Sequence, residues 1–288
     1  MKILILGSEG MLGREILYQL SKSKKYQIYA TCRGKNYLDK VDTSLFKPIT
    51  KSNIETSSEI LDILNRVKPD RVINCIGVIK QHGSKIPEHK YFFLNSSLPR
   101  IIESWCNLNK KKLIHFSTDC VFNGSKGGYG PEDTPDALDV YGLSKYLGEV
   151  RGKYSLTIRT SIIGFERNSN NGLLSWFLSN PENTFVNGYS NVMYSGLTTT
   201  YLAKIVCSYL LESNHYGLLQ LGGPRISKYE LLVLINNSFN AKILVKKYAD
   251  ISSDKTLCSN LAFSKLNITQ PSWNDMIQHL KENSINFI

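Results

Sequence analysis

The sequence predicts an α/β fold, a doubly wound parallel sheet with a smaller C-terminal lobe, and three observations carry that prediction. Short β-rich apolar runs alternate with longer segments of helical spacing through the first 165 residues. The first run ends directly in a glycine loop that opens the first helical segment. Past residue 165 the alternation breaks into mixed pieces, which marks a second lobe.

In chain order, "KILILG" leads into "MLGREILYQLSKS"; "YQIYATCR" and "NYLDKVD" lead into "SSEILDILNRVK"; "RVINCIGV" leads into "FFLNSSLPRIIESWCNLN". "KLIHFSTDCVF" then reaches the helix "DVYGLSKYLGE" through a loop rich in glycine and proline, and "SLTIRTSIIG" closes the series. Strand-length runs followed by segments with apolar positions three and four apart are the pattern of right-handed β-α-β crossovers. Residues 1–165 are read as the sheet domain and 166–288 as the lobe. The lobe is built from "NNGLLSWFLSN", "GLTTTYLAKIVCSYLLES" and "SKYELLVLINNSF", and strands can return from it to the sheet.

The 288 residues are 42% hydrophobic and 20% charged, which argues for a folded globular chain. A net charge of +11 suits phosphate-bearing ligands, nucleic acid or an anionic membrane alike. The basic clusters "SKSKK" at 21–25 and "KKK" at 110–112 fall where helices end, so solvated helix C-termini explain them. They lack interleaved aromatics, and no nucleic-acid module is recognisable, so nucleic acid is not expected as a partner. Six cysteines without a C-x-x-C pair read as buried free thiols, and no metal is expected. No stretch reaches the length of a membrane span and "MKILILG" lacks a signal pattern, so a cytoplasmic protein off the membrane is expected.

The loop "GSEGMLG" places Gly7, Gly10 and Gly13 at the first β-to-α junction. A dinucleotide turn needs glycines in that order, for a tight bend, close approach of backbone to pyrophosphate, and close helix packing. Glu9, Met11 and Leu12 belong to the same cofactor-binding loop. At the end of the second strand, Arg33 and Lys35, with Arg14 past the loop, favour the 2′-phosphate of NADP over NAD, although surface cations are the plain alternative. Asp42 is placed either to reach an adenine amino group or to cap the next helix.

Tyr141 and Lys145 stand four residues apart on one helix face. A lysine ammonium beside a phenol favours the phenolate, so the pair can serve as a proton donor or acceptor. In reduction, Tyr141 would protonate a ketone oxygen while a nicotinamide delivers hydride, and Lys145 can also hold the nicotinamide ribose. Thr118, at the end of "FSTDCVF", can orient the substrate oxygen; Ser117 is the competing hydroxyl.

"GSEGMLG", "NCIG" at 74–77, "FSTDCVFNG" at 116–124, "YGPEDTP" at 129–135 and "YGLSK" at 141–145 resemble the extended short-chain dehydrogenase/reductases. Within them the chain is similar to the dTDP-4-dehydrorhamnose reductase group, with further likeness at "LGGPRISKYEL" and "DKTLCSNLAFSKL". The resemblance implies NADPH-dependent reduction of a 4-keto group on a nucleotide-activated 6-deoxy sugar, making a deoxysugar donor for surface polysaccharide such as O-antigen. It implies a Rossmann-type sheet and a sugar-binding lobe. Thr118, Tyr141 and Lys145 match the group's catalytic triad. Cys75, Ile76 and Gly77 match the wall beside adenosine and ribose, and Asp119, Phe122 and Ser161 fall towards the sugar. Asn95 matches an asparagine with either a structural or water-holding role or a catalytic one. A homodimer is an open expectation, since dimers are common among such enzymes.

The chain departs from the group in "GVIKQHG" at 77–83, where Lys80, Gln81 and His82 either read a different sugar or nucleotide or form a polar surface loop. Cys120 replaces a frequent aromatic residue, as packing or as a wall of the sugar pocket. A cysteine at this place is catalytic in the related epimerising GDP-fucose synthases, but their second acid is a histidine, and none lies between His115 and His215 here. An epimerase or dual epimerase-reductase, and a non-catalytic NADP-binding regulatory subunit, are the alternative functions.

Overall fold

A computed structural model describes residues 1–33, 42–50, 53–80, 86–166 and 170–284. The last four residues of β1 (Lys2–Leu6) are buried, as in a parallel strand covered by helices on both faces. After it come α1 (Met11–Lys22), β2 (Gln27–Cys32), β3 (Lys47–Thr50), α2 (Ser57–Val67) and β4 (Arg71–Asn74). α3 (Glu88–Phe92), a π-helical segment (Phe93–Ser97) and α4 (Leu98–Asn109) follow one another without a break before β5 (Lys112–Thr118). The chain continues through α5 (Val140–Leu147), β6 (Ser155–Thr160), β7 (Ile162–Ile163), α6 (Leu173–Leu178), β8 (Phe185–Tyr194) and β9 (Leu197–Thr198). It ends with α7 (Thr199–Ile205), β10 (Gly217–Gln220), β11 (Ile226–Ser227), α8 (Lys228–Phe239), β12 (Leu244–Asp254), α9 (Asn260–Leu266) and α10 (Trp273–Ser284).

Seven strands form one sheet in the order β10-β6-β5-β4-β1-β2-β3, with parallel pairing from β3 through β5. This is the expected doubly wound, Rossmann-type arrangement. The order reverses between β1 and β4, and ligands of such sheets bind at that switch point beyond the carboxyl ends of the strands. Leu6 lies opposite Asn74 and Asn74 opposite His115, so the loops leaving β1 and β4 and the end of β5 reach one level.

β3 is absent from the sequence reading because "KPIT" holds a proline. Pro48 has no N–H to give a second neighbour, and β3 sits at the sheet edge, where none is needed. α2 begins with a reciprocal cap in which Thr56 Oγ1 accepts from the Glu59 amide and the Glu59 carboxylate accepts from the Thr56 amide. Its Ile60, Ile63, Leu64 and Val67 enter a core with Leu4, Leu6, Val72, Leu98, Ile102 and Leu113. Each such side chain stabilises the fold by about 1.5–3 kcal/mol on burial.

By its packing the chain divides into two compact units. The first is Met1–Val121, Leu138–Arg159 and Ala203–Leu219; the second is Phe122–Ala137, Thr160–Leu202 and Gln220–Ile288. Residue 165 lies inside the second unit's stretch, and 203–219 returns to the first because it supplies β10. In the second unit β8 pairs parallel to β12 and antiparallel to β11, with an irregularity in β12 between Tyr248 and Ser252. α8 carries a Ser227–Glu230 capping box and buries Leu231, Leu232 and Ile235.

Two expectations need correction. Lys112 is not a solvated helix-end cation: it is buried, and its Nζ donates to the Leu210 and Ser213 carbonyls at 2.6 Å each. It closes the end of the π-helical segment Val206–Leu210 that continues α7, and burial pushes its ammonium down to about 8. All six cysteines are free, as expected, but Cys258 is exposed. Among the described residues no helix is long and apolar enough to cross a membrane.

Candidate active site

Gly7 adopts a left-handed φ of +78°, and its amide donates to Thr31 Oγ1 at 2.9 Å. The Gly10 amide returns to the Gly7 carbonyl at 3.2 Å, which closes the turn. A Cβ on Gly13 would run into the Gly7 carbonyl, so the helix seats against the loop only with glycine there. Gly10 is the N-cap of α1; it offers no capping side chain, and the first turn holds no acid. The amides of Met11, Leu12 and Gly13 thus open α1 with its positive dipole end uncompensated. That cradle fits a dinucleotide pyrophosphate.

At the end of β2, Arg33 is held by Glu9, whose carboxylate accepts from the Arg33 amide and, at 3.3 Å, from Nε. The Arg33 side chain is 71% exposed, which leaves it able to meet a 2′-phosphate. Arg14 is instead buried on α1, with its charge near Glu15. Asp42 caps the short 3-10 turn Thr43–Leu45, accepting from the Ser44 amide at 2.9 Å, so the capping alternative is the one seen. Lys35, Gln81 and His82 lie outside the described residues.

Beyond β4, the Cys75 amide donates to Leu6 O at 2.9 Å and the Ile76 amide to Asn74 Oδ1 at 3.1 Å. Burial pushes the Cys75 thiol up, so it stays protonated. Asn95, in the π-helical segment, accepts from the Val78 amide at 2.9 Å and donates to Val78 O and Ser144 Oγ at 3.1 Å each. It ties the Gly77 loop to α5. A Cβ on Gly148 would collide with the Asn95 carbonyl, so this glycine lets α5 rest on the π-helical segment.

α5 starts at Asp139, whose Oδ1 accepts from the Gly142 amide at 3.0 Å and whose Oδ2 takes Lys80 Nζ at 3.2 Å. Lys80 therefore braces the start of the helix in this structure. Tyr141 is half-buried and shares a hydrogen bond with Thr118. Ser117 points elsewhere, donating to buried Glu149 at 2.9 Å, so strand alternation selects Thr118 as the hydroxyl beside the phenol. Lys145 is buried and donates to the Phe116 carbonyl at 2.5 Å.

The electrostatics differ from the expected pairing. Burial pushes the Tyr141 phenol up, with the charges of Cys120, Asp119 and Asp139 acting the same way and the Thr118 bond opposing them. Lys145 does not hold the phenolate here, because its ammonium is turned to Phe116. Burial pushes Lys145 down to about 8, while Glu149 and Cys75 favour its charge. The arrangement suits a phenol that arrives protonated and donates.

On the side expected to face the sugar, Asp119 Oδ1 accepts from Thr118 Oγ1 at 3.1 Å, and the Cys120 amide donates to the same hydroxyl at 3.1 Å. Cys120 is half-buried. Phe122 does not face a ligand: it is fully buried, with its ring stacked on Tyr129 at 4.1 Å. The half-buried Ser161 accepts from the Leu197 amide at 2.9 Å through its carbonyl. The second unit also holds a polar groove of about 630 Å³, lined by Ser190, Asn191, Arg225, Ser227, Lys247 and Ser252 among others. Sequence reasoning missed this groove and the buried Glu149–Arg159 pair, although "KYLGE" places a carboxylate four residues after Lys145.

The RmlD substrate binding domain model matches residues 1–254. The chain belongs to that family. A dTDP-4-dehydrorhamnose reductase of Aggregatibacter actinomycetemcomitans is 24% identical to this RmlD-family chain over 246 residues, 81% of this chain and 78% of the relative. A dTDP-4-keto-6-deoxy-D-glucose reductase of Streptomyces niveus is 24% identical over 149 residues, 51% of this chain and 45% of the relative. Other curated relatives are spanned over as little as 28% of their length. A dTDP-4-dehydrorhamnose reductase of Bacillus anthracis, solved in complex with NADP, shares the fold at a TM-score of 0.80 and 20% identity, covering 98% of this chain and 99% of that one.

Proposed function

We propose that this RmlD-family chain is an NADPH-dependent reductase of the 4-keto group of a nucleotide-activated 6-deoxy sugar, acting in the cytoplasm to make a deoxysugar donor for surface polysaccharide. The observation that carries the reading is the half-buried Tyr141 between buried Thr118 and Lys145, with the phenol kept protonated beside the Thr118 hydroxyl. Gly7, Gly10 and Gly13 with the first-turn amides of α1 hold the cofactor pyrophosphate, and Arg33 its 2′-phosphate. When bound, NADPH supplies the hydride. Thr118 orients the ketone oxygen, and Tyr141 gives it the phenolic proton. The Lys145 ammonium, anchored on the Phe116 carbonyl, would hold the nicotinamide ribose. Residues 166–288 would carry the nucleotide sugar.

The test is NADPH consumption with 4-keto-6-deoxy sugars linked to dTDP, UDP, GDP or CDP. Turnover with one of them should fall by roughly 10²–10⁴ in Tyr141→Phe. Tight NADPH binding with no turnover on any of them would point instead to a regulatory subunit.

A further inference from the structure

Behind the loop that follows β4 lie two buried polar side chains that the steps above do not use. Asn74 is 1% exposed and His115 is 0% exposed, and they are register partners across β4 and β5. Asn74 Oδ1 accepts from the Ile76 amide at 3.1 Å. That N–H can only donate, so the orientation of the Asn74 amide is determined: Nδ2 faces His115 Nδ1, at 3.2 Å, as a donor. His115 is therefore the tautomer with a bare Nδ1 and its proton on Nε2. A second proton would set N–H against N–H, so the bond requires a neutral ring. Burial, and then the Lys145 ammonium, push the imidazole well below its ordinary range.

His115 Nε2 is buried and finds no partner among the described residues. An apolar side chain would fill this place without that cost, so packing alone does not account for a histidine. The same loop is gripped again two residues on, where Asn95 bonds both the amide and the carbonyl of Val78. Gly77 lies between the two grips, its Cβ position 3.2 Å from Asn95 Oδ1 and 3.8 Å from Lys145 Nζ. The residue after His115, Phe116, supplies the carbonyl that anchors Lys145.

We infer that Asn74 and His115 are a positioning pair: His115 orients the Asn74 amide, which sets the Ile76 N–H and with it the backbone wall of the cofactor site at Ile76–Gly77. The inference rests on the NADPH reading above and adds to it a residue two strands away from the glycine loop.

The experiment is fluorescence titration of NADPH on the purified full chain. His115→Leu should raise the NADPH dissociation constant about tenfold, the weight of one positioning bond, with kcat changed by less than about threefold. His115→Asn keeps an acceptor at the Nδ1 position and should restore most of the affinity. An unchanged dissociation constant in His115→Leu would overturn the inference, as would equal losses in both variants, because volume and not the acceptor would then matter. Should neither variant fold, imidazole ¹⁵N NMR of the wild-type chain decides the matter. A proton on Nε2 supports the pair; a proton on Nδ1 means that the amide is turned the other way, and overturns it. Failure of the wild-type chain to bind NADPH would sink the cofactor reading, and the NMR result would still judge the pair.

Discussion

Arg159 and Glu149 form an ion pair sealed from solvent, with Nε to Oε1 at 2.6 Å, Nη2 to Oε2 at 2.8 Å, and side chains 0% and 2% exposed. Glu149 also accepts from Ser117 and, at 3.3 Å, from Arg151, so its lone pairs are well used. Such a pair is costly to break from one side, because the remaining charge has no water to turn to. Arg159→Met should destabilise the fold by about 3–5 kcal/mol in urea unfolding. Adding Glu149→Leu to that variant should recover much of the loss, since both charges are then gone. A double variant no more stable than the single one would mean that the pair is not what the site depends on.

Lys145 sets the high-pH limb of activity. Its ammonium, depressed by burial to about 8, is lost as pH rises through that value, so kcat/KM for ketone reduction should fall above pH 8. Stability moves the other way on this group: between about 8 and the ordinary lysine value of 10.5 the unfolded chain binds the extra proton, so ∂ΔG/∂pH is positive. The comparison is between wild type and Lys145→Met, because buried Cys106 and half-buried Cys207, both pushed up to about 12, titrate with the opposite sign in each. The stability gap should shift in favour of wild type across that window. A flat difference would show that Lys145 is not buried as a cation.

The glycine loop separates packing from ligand approach. A Cβ on Gly13 meets the Gly7 backbone, whereas one on Gly10 meets nothing closer than Gly7 O at 3.4 Å. Gly13→Ala should therefore lower the melting temperature and abolish NADPH binding together. Gly10→Ala should leave the melting temperature within about 2 °C while NADPH affinity falls at least about tenfold, because only the incoming phosphate feels the added methyl. Equal behaviour of the two in calorimetry and titration would contradict this division.

How far the site could be read in advance follows from how local its signals are. The Gly7–Gly13 loop, the Tyr141–Lys145 spacing and the hydroxyl at Thr118 each occupy one junction or one helix turn, so a short stretch of sequence carries them. Asn74 and His115 are 41 residues apart, and only the β4–β5 register joins them. Arg159 meets Glu149 because the stretch after α5 folds back onto β6, where Val150 and Thr157 bond each other, a tertiary fact without a local pattern. Lys112 looked like one more cation in a basic cluster; what buries it is the end of a helix about a hundred residues later. β3 was hidden by Pro48, whose propensity argues against a strand until the edge position is known. Phe122 sits in a motif that faces the sugar by resemblance, yet its own ring is taken by Tyr129.

Cofactor choice turns on Arg33, at the end of β2, and Glu9, whose carboxylate reaches it from the glycine loop after β1. A carboxylate there favours the ribose 2′-hydroxyl of NAD, a guanidinium the 2′-phosphate of NADP. Their ion pair, at 3.3 Å with Arg33 largely exposed, is worth only about 0.2–1 kcal/mol, so an arriving phosphate can compete with the carboxylate for the guanidinium. Arg33→Ala leaves Glu9 alone at the site and should lower the ratio of kcat/KM with NADPH to that with NADH by at least about tenfold, chiefly through KM for NADPH. Glu9→Gln should move the same ratio upwards, because Arg33 then has no carboxylate to leave. Raising the salt concentration should weaken NADPH binding in wild type more than in Arg33→Ala. If the ratio stays constant in both variants, the 2′-phosphate is read by other residues, and Arg33 is a surface cation.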